Sequence, residues 1–303
     1  MNASDKANAV QSMIERTTSL QSSPTVARKI MSLTKTADFD MQEVVSCLEH
    51  DPALAAKILR VVNSSHYGLS RQVASIKHAA SIIGQRSLRM FVVTFALVDT
   101  LAKGPAEKLF ADYWLRASLI ASGASRIATL HDRKHFDDAY TAGLLADLGL
   151  LVFAQDAGEP YVELYKSCFH SDELTNAEEQ MFGFTHAELG SQLLRSWEFP
   201  PWVDEAVLGH HSHMPDQNLV SRAVRAGNLV AELLGDPSEE RWETLSTFLA
   251  EAFDATPESP AAFIDACVAD IQNAGAVFGY GTPSISDETL ARLAELANAP
   301  ATA

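Results

Sequence analysis

The sequence predicts an all-α protein, and three observations carry that prediction. Apolar residues recur at three- and four-residue spacing in long stretches. Phe110, Tyr113, Trp114, Ala117, Ile120, Ala121, Ala124 and Ile127 are one example, and that period lines one face of a helix. Helix-start signals punctuate the chain between such stretches. No run shows the strict alternation or paired turn residues of a hairpin.

The elements follow in order. Ser23-Pro24 and Asp51-Pro52 each set a capping side chain before a proline at the first helical position. In the stretch that Pro52 opens, Leu54, Ile58, Val61 and Val62 make one apolar face. Asp40 with Glu43, Thr175 with Glu178, and Thr185 with Glu188 have capping-box spacing. Gly68, Gly84 and Gly235 are expected stops, and a late helix is expected over Arg222 to Leu234. Breaks at Lys103-Gly104-Pro105 and Gly235-Asp236-Pro237 divide the chain into three parts. These are an N-terminal helical part (1–104), a helical bundle (105–235) and an acidic helical extension (236–303). No repeat period suggests a solenoid.

With 303 residues, 47% of them hydrophobic and 20% charged, the chain can bury a large core and lacks the composition of disorder. The apolar stretches Met90 to Val98 and Gly143 to Ala154 fall short of the ~18 residues a membrane helix needs. The N-terminus carries no signal-peptide core. Cys47, Cys168 and Cys267 show no paired spacing, which points away from disulfides and zinc knuckles and towards a reducing cytoplasm. A net charge of −16 argues against nucleic acid or anionic lipid as a whole-surface partner. The distribution is uneven, however. Pro52 to Val98 contains no acid but carries Lys57, Arg60, Arg71, Lys77, Arg86 and Arg89, whereas twelve acids face two arginines from Asp236 onward. The basic segment either faces acidic helices of its own chain or, through Arg71, Lys77, Arg86 and Arg89, offers a local site for an anion or acidic partner.

The run Asp51-Pro52-Ala53-Leu54-Ala55-Ala56-Lys57-Ile58-Leu59-Arg60-Val61-Val62-Asn63-Ser64-Ser65-His66-Tyr67-Gly68 resembles the signature of the HDOD (HD-related output domain) family of bacterial signalling proteins. Ser75 to Gly84, Tyr113-Trp114-Leu115-Arg116-Ala117-Ser118, Ala142 to Gly149, Phe184 to Gly190 and Ala206 to His211 resemble the same family in the same order. The likeness covers about residues 20 to 235. It implies an HD-like helical bundle behind a smaller N-terminal part, and a regulatory role in motility, biofilm or cyclic-di-GMP circuits without hydrolase activity.

A catalytic HD site holds divalent metal with imidazoles and carboxylates from separate helices. On the resemblance, its first histidine is replaced here by Ala117, the histidine of the His-Asp pair by Ala146, and a late aspartate by Asn228. Only Asp147 survives, so no metal and no other cofactor is expected. Asp147 shares a stripe with Tyr140, Leu144, Leu148 and Leu151 and should face inward, where a lone carboxylate needs a partner. His186, His210 and His211 are the candidates, because HD-GYP phosphodiesterases resemble this chain in placing histidines there. Such a cluster is either an Asp–His tie between helices or a residual metal or anion site. His213 is read as an exposed loop residue. Gly279-Tyr280-Gly281-Thr282-Pro283 is read as a turn rather than a Gly-Tyr-Pro element. Asn63, Ser64 and Tyr67 are read as a helix cap sealing the junction between the two helical parts.

Three functions follow as expectations. The first is a non-catalytic signalling module whose partners act in trans: cyclic-di-GMP cyclases or phosphodiesterases, response regulators or kinases. A separate one is binding of nucleic acid or a cyclic dinucleotide through the basic segment. The alternative is a metal-dependent phosphohydrolase with a rearranged site at Asp147, His186, His210 and His211.

Overall fold

The start signals explain where several helices begin. In this computed structural model, residues 3–19, 41–49, 51–63, 67–168, 172–213, 218–253, 263–269 and 285–298 are described, and among them there is helix and no strand. The N-terminal part holds α1 (Ala3–Ser19), α2 (Met41–Glu49), α3 (Pro52–Val62) and α4 (Ile76–Leu101). The centre holds α5 (Phe110–His131), α6 (Phe136–Leu145), α7 (Leu148–Ala157), α8 (Glu159–Cys168), α9 (Asp172–Phe182), α10 (His186–Ser196), α11 (Pro201–Gly209) and α12 (Leu219–Gly235). α13 (Glu239–Ala252) and α14 (Asp287–Asn298) follow.

Asp51 caps α3 by accepting from the Leu54 amide, with Pro52 at the first turn. Thr185 and Glu188 form a complete capping box on α10. Thr175 and Glu178 do not mark a start: α9 already begins at Asp172, and Glu178 is a buried site residue instead. Gly84, by contrast, does break a helix: with φ +81° and ψ 166° it interrupts α4 at a kink between two helical stretches, a conformation that only glycine adopts without strain. Gly235 is the last residue of α12, as expected. Ser23-Pro24, Asp40, Ser64 and the Gly279 to Pro283 run lie outside the described residues.

Asn63 closes α3 and fastens the following loop. Its Nδ2 donates to the Leu59 and Val73 carbonyls at 2.8 and 2.7 Å, and its Oδ1 accepts from the Val73 amide at 2.6 Å. Tyr67 then donates to Asp137 Oδ1 at 2.8 Å and stacks edge-on against Phe136. These contacts tie the N-terminal part to α6.

Two apolar cores result. The first joins α1 to α4 with Tyr113 and Trp114 of α5, the body of α7, and Leu189 and Leu193 of α10. The second joins the inner faces of α5 and α12 to Leu245, Phe248 and Leu249 of α13, Ile264, and Leu293 of α14. The 26-residue α4 is long and apolar enough to cross a membrane, yet 61% of its most apolar window is buried in the chain. Phe91 and Phe95 there stack with Tyr140 and Trp114, as core residues do.

α5 packs most extensively on α12 and α6. The α5–α12 approach depends on Gly227, where an added Cβ would lie 2.2 Å from the Ile120 carbonyl oxygen. That close crossing brings Arg116 of α5 beside Asn228 of α12.

Candidate functional site

Asp147 lies in the turn between α6 and α7 rather than on a continuous helical stripe. It is fully buried, as its apolar neighbours require. Its two carboxylate oxygens face different partners. Oδ2 accepts from Arg116 Nε at 2.6 Å. Oδ1 lies 3.3 Å from His210 Nε2 and 3.6 Å from His186 Nε2, and accepts no hydrogen bond. A third nitrogen, His211 Nε2, stands 3.0 Å from His186 Nε2, which is itself 3.3 Å from His210 Nε2. The four donor atoms all fall within 4.8 Å of one another.

The far side of each imidazole is held. His186 Nδ1 sits 2.8 Å from Glu178 Oε2, which also accepts from the His186 amide at 2.8 Å. The Tyr161 hydroxyl donates to the other Glu178 oxygen. His210 Nδ1 donates to the Val207 carbonyl at 2.6 Å. His211 Nδ1 looks towards Asn228 Nδ2 at 3.4 Å and Glu232 Oε1 at 3.8 Å. The fold therefore aims the Nε2 atoms of His186 and His210 at Asp147 and sets His211 Nε2 against His186.

The charges follow from this packing. Burial alone would raise the Asp147 carboxyl, but the Arg116 guanidinium and the two imidazoles outweigh it and hold the group well below the usual carboxylate range. Burial likewise opposes protonation of His186, yet Glu178 and Asp147 push it up to about 9. Burial lowers His210, and burial with two neighbouring imidazoles takes His211 well below its ordinary value.

Of the positions read as degenerate, Ala117 and Ala146 are buried methyl groups in the two cores. Asn228 is a fully buried link: its Oδ1 accepts from Arg116 at 2.6 Å, and its Nδ2 donates to the His210 carbonyl and to Glu232. The predicted cluster of Asp147, His186, His210 and His211 is brought together. His213 is exposed, as read. The basic residues are not part of this site. Arg71 and Lys77 are exposed and Arg89 is half-buried. Arg86 pairs with Asp138 of α6 at 3.0 Å and lies over the Trp202 ring. Lys57 pairs with Asp99 at 2.6 Å, so acids of α4 and α6 meet two of the basic residues.

Two site residues escaped the sequence reading. Arg116 lies three residues after Tyr113 and four before Ile120, on the very stripe read as apolar, and an inward arginine demands an inward acid. Glu178 was absorbed into a capping pattern that its helix does not use.

Residues 20–213 match the HDOD domain family. Among solved structures, a Shewanella amazonensis SB2B protein named as a phosphohydrolase superposes with a TM-score of 0.65 at 20% identity, covering 92% of this chain and 97% of that one. An HDOD domain protein from Geobacter sulfurreducens gives 0.55 at 21%, covering 94% and 92%. A protein from Marinobacter aquaeolei VT8 named as a signal transduction protein gives 0.56 at 21%, covering 99% and 67%. At these identities the likeness is one of fold. Comparison with curated proteins gives no match. The run from Asp51 to Gly68 and the segments carrying Asp147, His186 and His211 all fall inside the matched residues, which make up more than half of the sequence, and this chain belongs to the HDOD domain family.

Proposed function

We propose that this protein is a non-catalytic regulatory module that acts by binding signalling proteins in trans. The observation that carries the reading is Arg116. Its guanidinium is fixed between Asp147 Oδ2 and Asn228 Oδ1, beside the positions where Ala117 and Ala146 replace the expected metal-binding histidines. A side-chain cation thus occupies the surroundings that a hydrolytic centre would give to metal, water and phosphate. Asp147, His186 and His210 are buried, which keeps a phosphoester from the cluster in this conformation. The surface assigned to a partner is the junction of the N-terminal part with the bundle, which Arg86 spans by pairing with Asp138, together with Arg71, Lys77 and Arg89 of the same basic segment. Partners of the cyclic-di-GMP enzyme, response-regulator or kinase type fit that role, and a cyclic dinucleotide is a smaller candidate for the same charges.

Incubation of the full chain with phosphomonoesters, nucleotides and cyclic dinucleotides, with and without added divalent metal, tests the reading. No turnover above buffer is expected. Turnover that disappears in Asp147→Ala would establish the second reading, a phosphohydrolase with a rearranged site. The convergence of Asp147 with three histidines favours that alternative. Charge reversal at Arg71 and Lys77 is expected to weaken partner or cyclic-dinucleotide binding at low salt and leave the fold unchanged.

A further inference from the structure

We propose that Asp147 Oδ1 and the Nε2 atoms of His186, His210 and His211 bind one divalent cation of the zinc type, in a closed site that fastens helices together and leaves substrate no place. The proposal goes beyond the regulatory reading and stands on separate observations.

The first observation is the spacing. Four nitrogen and oxygen donors around a zinc-type ion, at bond lengths of about 2.0–2.1 Å, define a tetrahedron with edges of about 3.3 Å. Four of the six separations are 3.0, 3.3, 3.3 and 3.6 Å, and all six lie within 4.8 Å.

The second is proton bookkeeping. Val207 offers His210 a carbonyl, which only accepts, so Nδ1 carries the hydrogen and Nε2 of the neutral ring is a bare lone pair. That lone pair faces Asp147 Oδ1 at 3.3 Å, a second lone pair that accepts no hydrogen bond and is cut off from water. Glu178 holds His186 in the same sense, with Nδ1 outward and Nε2 inward. Electron pairs converging in a buried space repel unless a cation lies among them. A single proton on one imidazole relieves one contact at a time; a metal ion relieves all of them.

The third is the outer support. A carboxylate and a backbone carbonyl stand behind His186 and His210, the arrangement that fixes ring orientation in histidine metal sites, while His211 Nδ1 has Asn228 Nδ2 at 3.4 Å and Glu232 Oε1 at 3.8 Å. Arg116 completes the picture on Oδ2, so that the carboxylate would bridge a guanidinium and the ion. With four protein donors the coordination is filled, which is the mark of a structural rather than a hydrolytic site. Access comes from the side of His211, the most exposed of the four, with a side chain 16% exposed. Next to it, Ser212, Arg225, Glu240, Glu243 and Glu251 line a cleft of about 370 Å³.

The test uses the full chain purified without chelator. Elemental analysis is expected to find about one transition-metal ion per chain. Cobalt(II) added to stripped protein is expected to give the intense visible absorption of a four-coordinate ion. His210→Gln and Asp147→Asn should lose the ion, whereas His213→Gln should keep it. Glu178→Gln should weaken affinity about 10- to 100-fold with the circular dichroism unchanged. If the ligand variants fail to fold, the cobalt spectrum of the wild-type chain still decides. No uptake of zinc by stripped wild type in calorimetry, or equal uptake by folded His210→Gln, overturns the proposal and leaves a proton as the cation of the cluster. Metal uptake by itself does not show hydrolysis, whereas metal-dependent turnover lost in Asp147→Ala would overturn the closed character of the site as well as the regulatory reading.

Discussion

Remove Arg116 and the Asp147 carboxylate keeps its burial while losing the guanidinium on Oδ2. Breaking a buried ion pair from one side costs roughly 3–5 kcal/mol, because the remaining charge stays desolvated. Arg116→Met is therefore expected to lower the urea unfolding free energy by about that amount, and a loss below about 1 kcal/mol would show that the pair is not what holds α5 to the turn. The imidazoles predict a pH profile for the cation-free chain. His186, pushed up to about 9, binds its proton more tightly folded than unfolded. Its contribution is complete below an unfolded value of about 6.5 and is lost as pH rises through about 9. His210 and His211 are lowered, so below about 6.5 the unfolded chain takes up protons that the folded one refuses, and stability falls towards acid. Urea midpoints of stripped protein should peak near neutrality, and His186→Gln should flatten the alkaline side. A wild-type profile that is flat from about pH 6.5 to 9 would contradict the assignment.

Single elements set where the site residues stand. α10 carries His186 at its first turn, and the Thr185–Glu188 capping box fixes that turn. Thr185→Ala should cost about 1 kcal/mol, read as a fall in thermal midpoint. α7 meets α10 at Gly149, where a Cβ would fall 2.0 Å from the His186 carbonyl oxygen. Backbone cannot yield as a flexible side chain does, so Gly149→Ala should destabilise by at least the roughly 1–3 kcal/mol of an overpacked core. It should also move His186 off Asp147. Gly209 at the end of α11 has nothing within 4 Å of a built Cβ, and Gly209→Ala is the control expected to cause no such loss. Equal effects of the two substitutions would remove the close contact as an explanation. The capping box was legible in sequence because its partners are three residues apart. The Gly149 contact was not, since its partner is 37 residues away on another helix.

At the scale of the whole molecule, the described helices of the acidic extension are core material. Leu245, Phe248 and Leu249 of α13 are buried with Ile120, Val224 and Leu229 of α5 and α12. The three regions marked by the chain's breaks are thus stitched by two cores that cross those breaks. Truncation at residue 235 should strip the second core of one wall and expose its apolar face, giving an aggregating or poorly cooperative chain. A truncated protein that melts as sharply and as high as the full chain would refute this. Partner capture by such a fragment would therefore need a folding control before it spoke of regulation.

The sequence by itself determined the helical class, the start of α3, the capping of α10, the seal around Asn63 and Tyr67, and the family. Each of these is written in neighbours a few residues apart or in motifs whose order survives without coordinates. It also marked Asp147 as inward and His186, His210 and His211 as its company. Only the tertiary structure decided that Arg116 is the ion partner, that Glu178 stands behind His186, and that the Nε2 atoms of His186 and His210 meet one oxygen with His211 beside them. Those facts depend on helix crossings that bring together residues 31 and 112 positions apart, and periodicity along one helix carries no information about the angle at which it meets another.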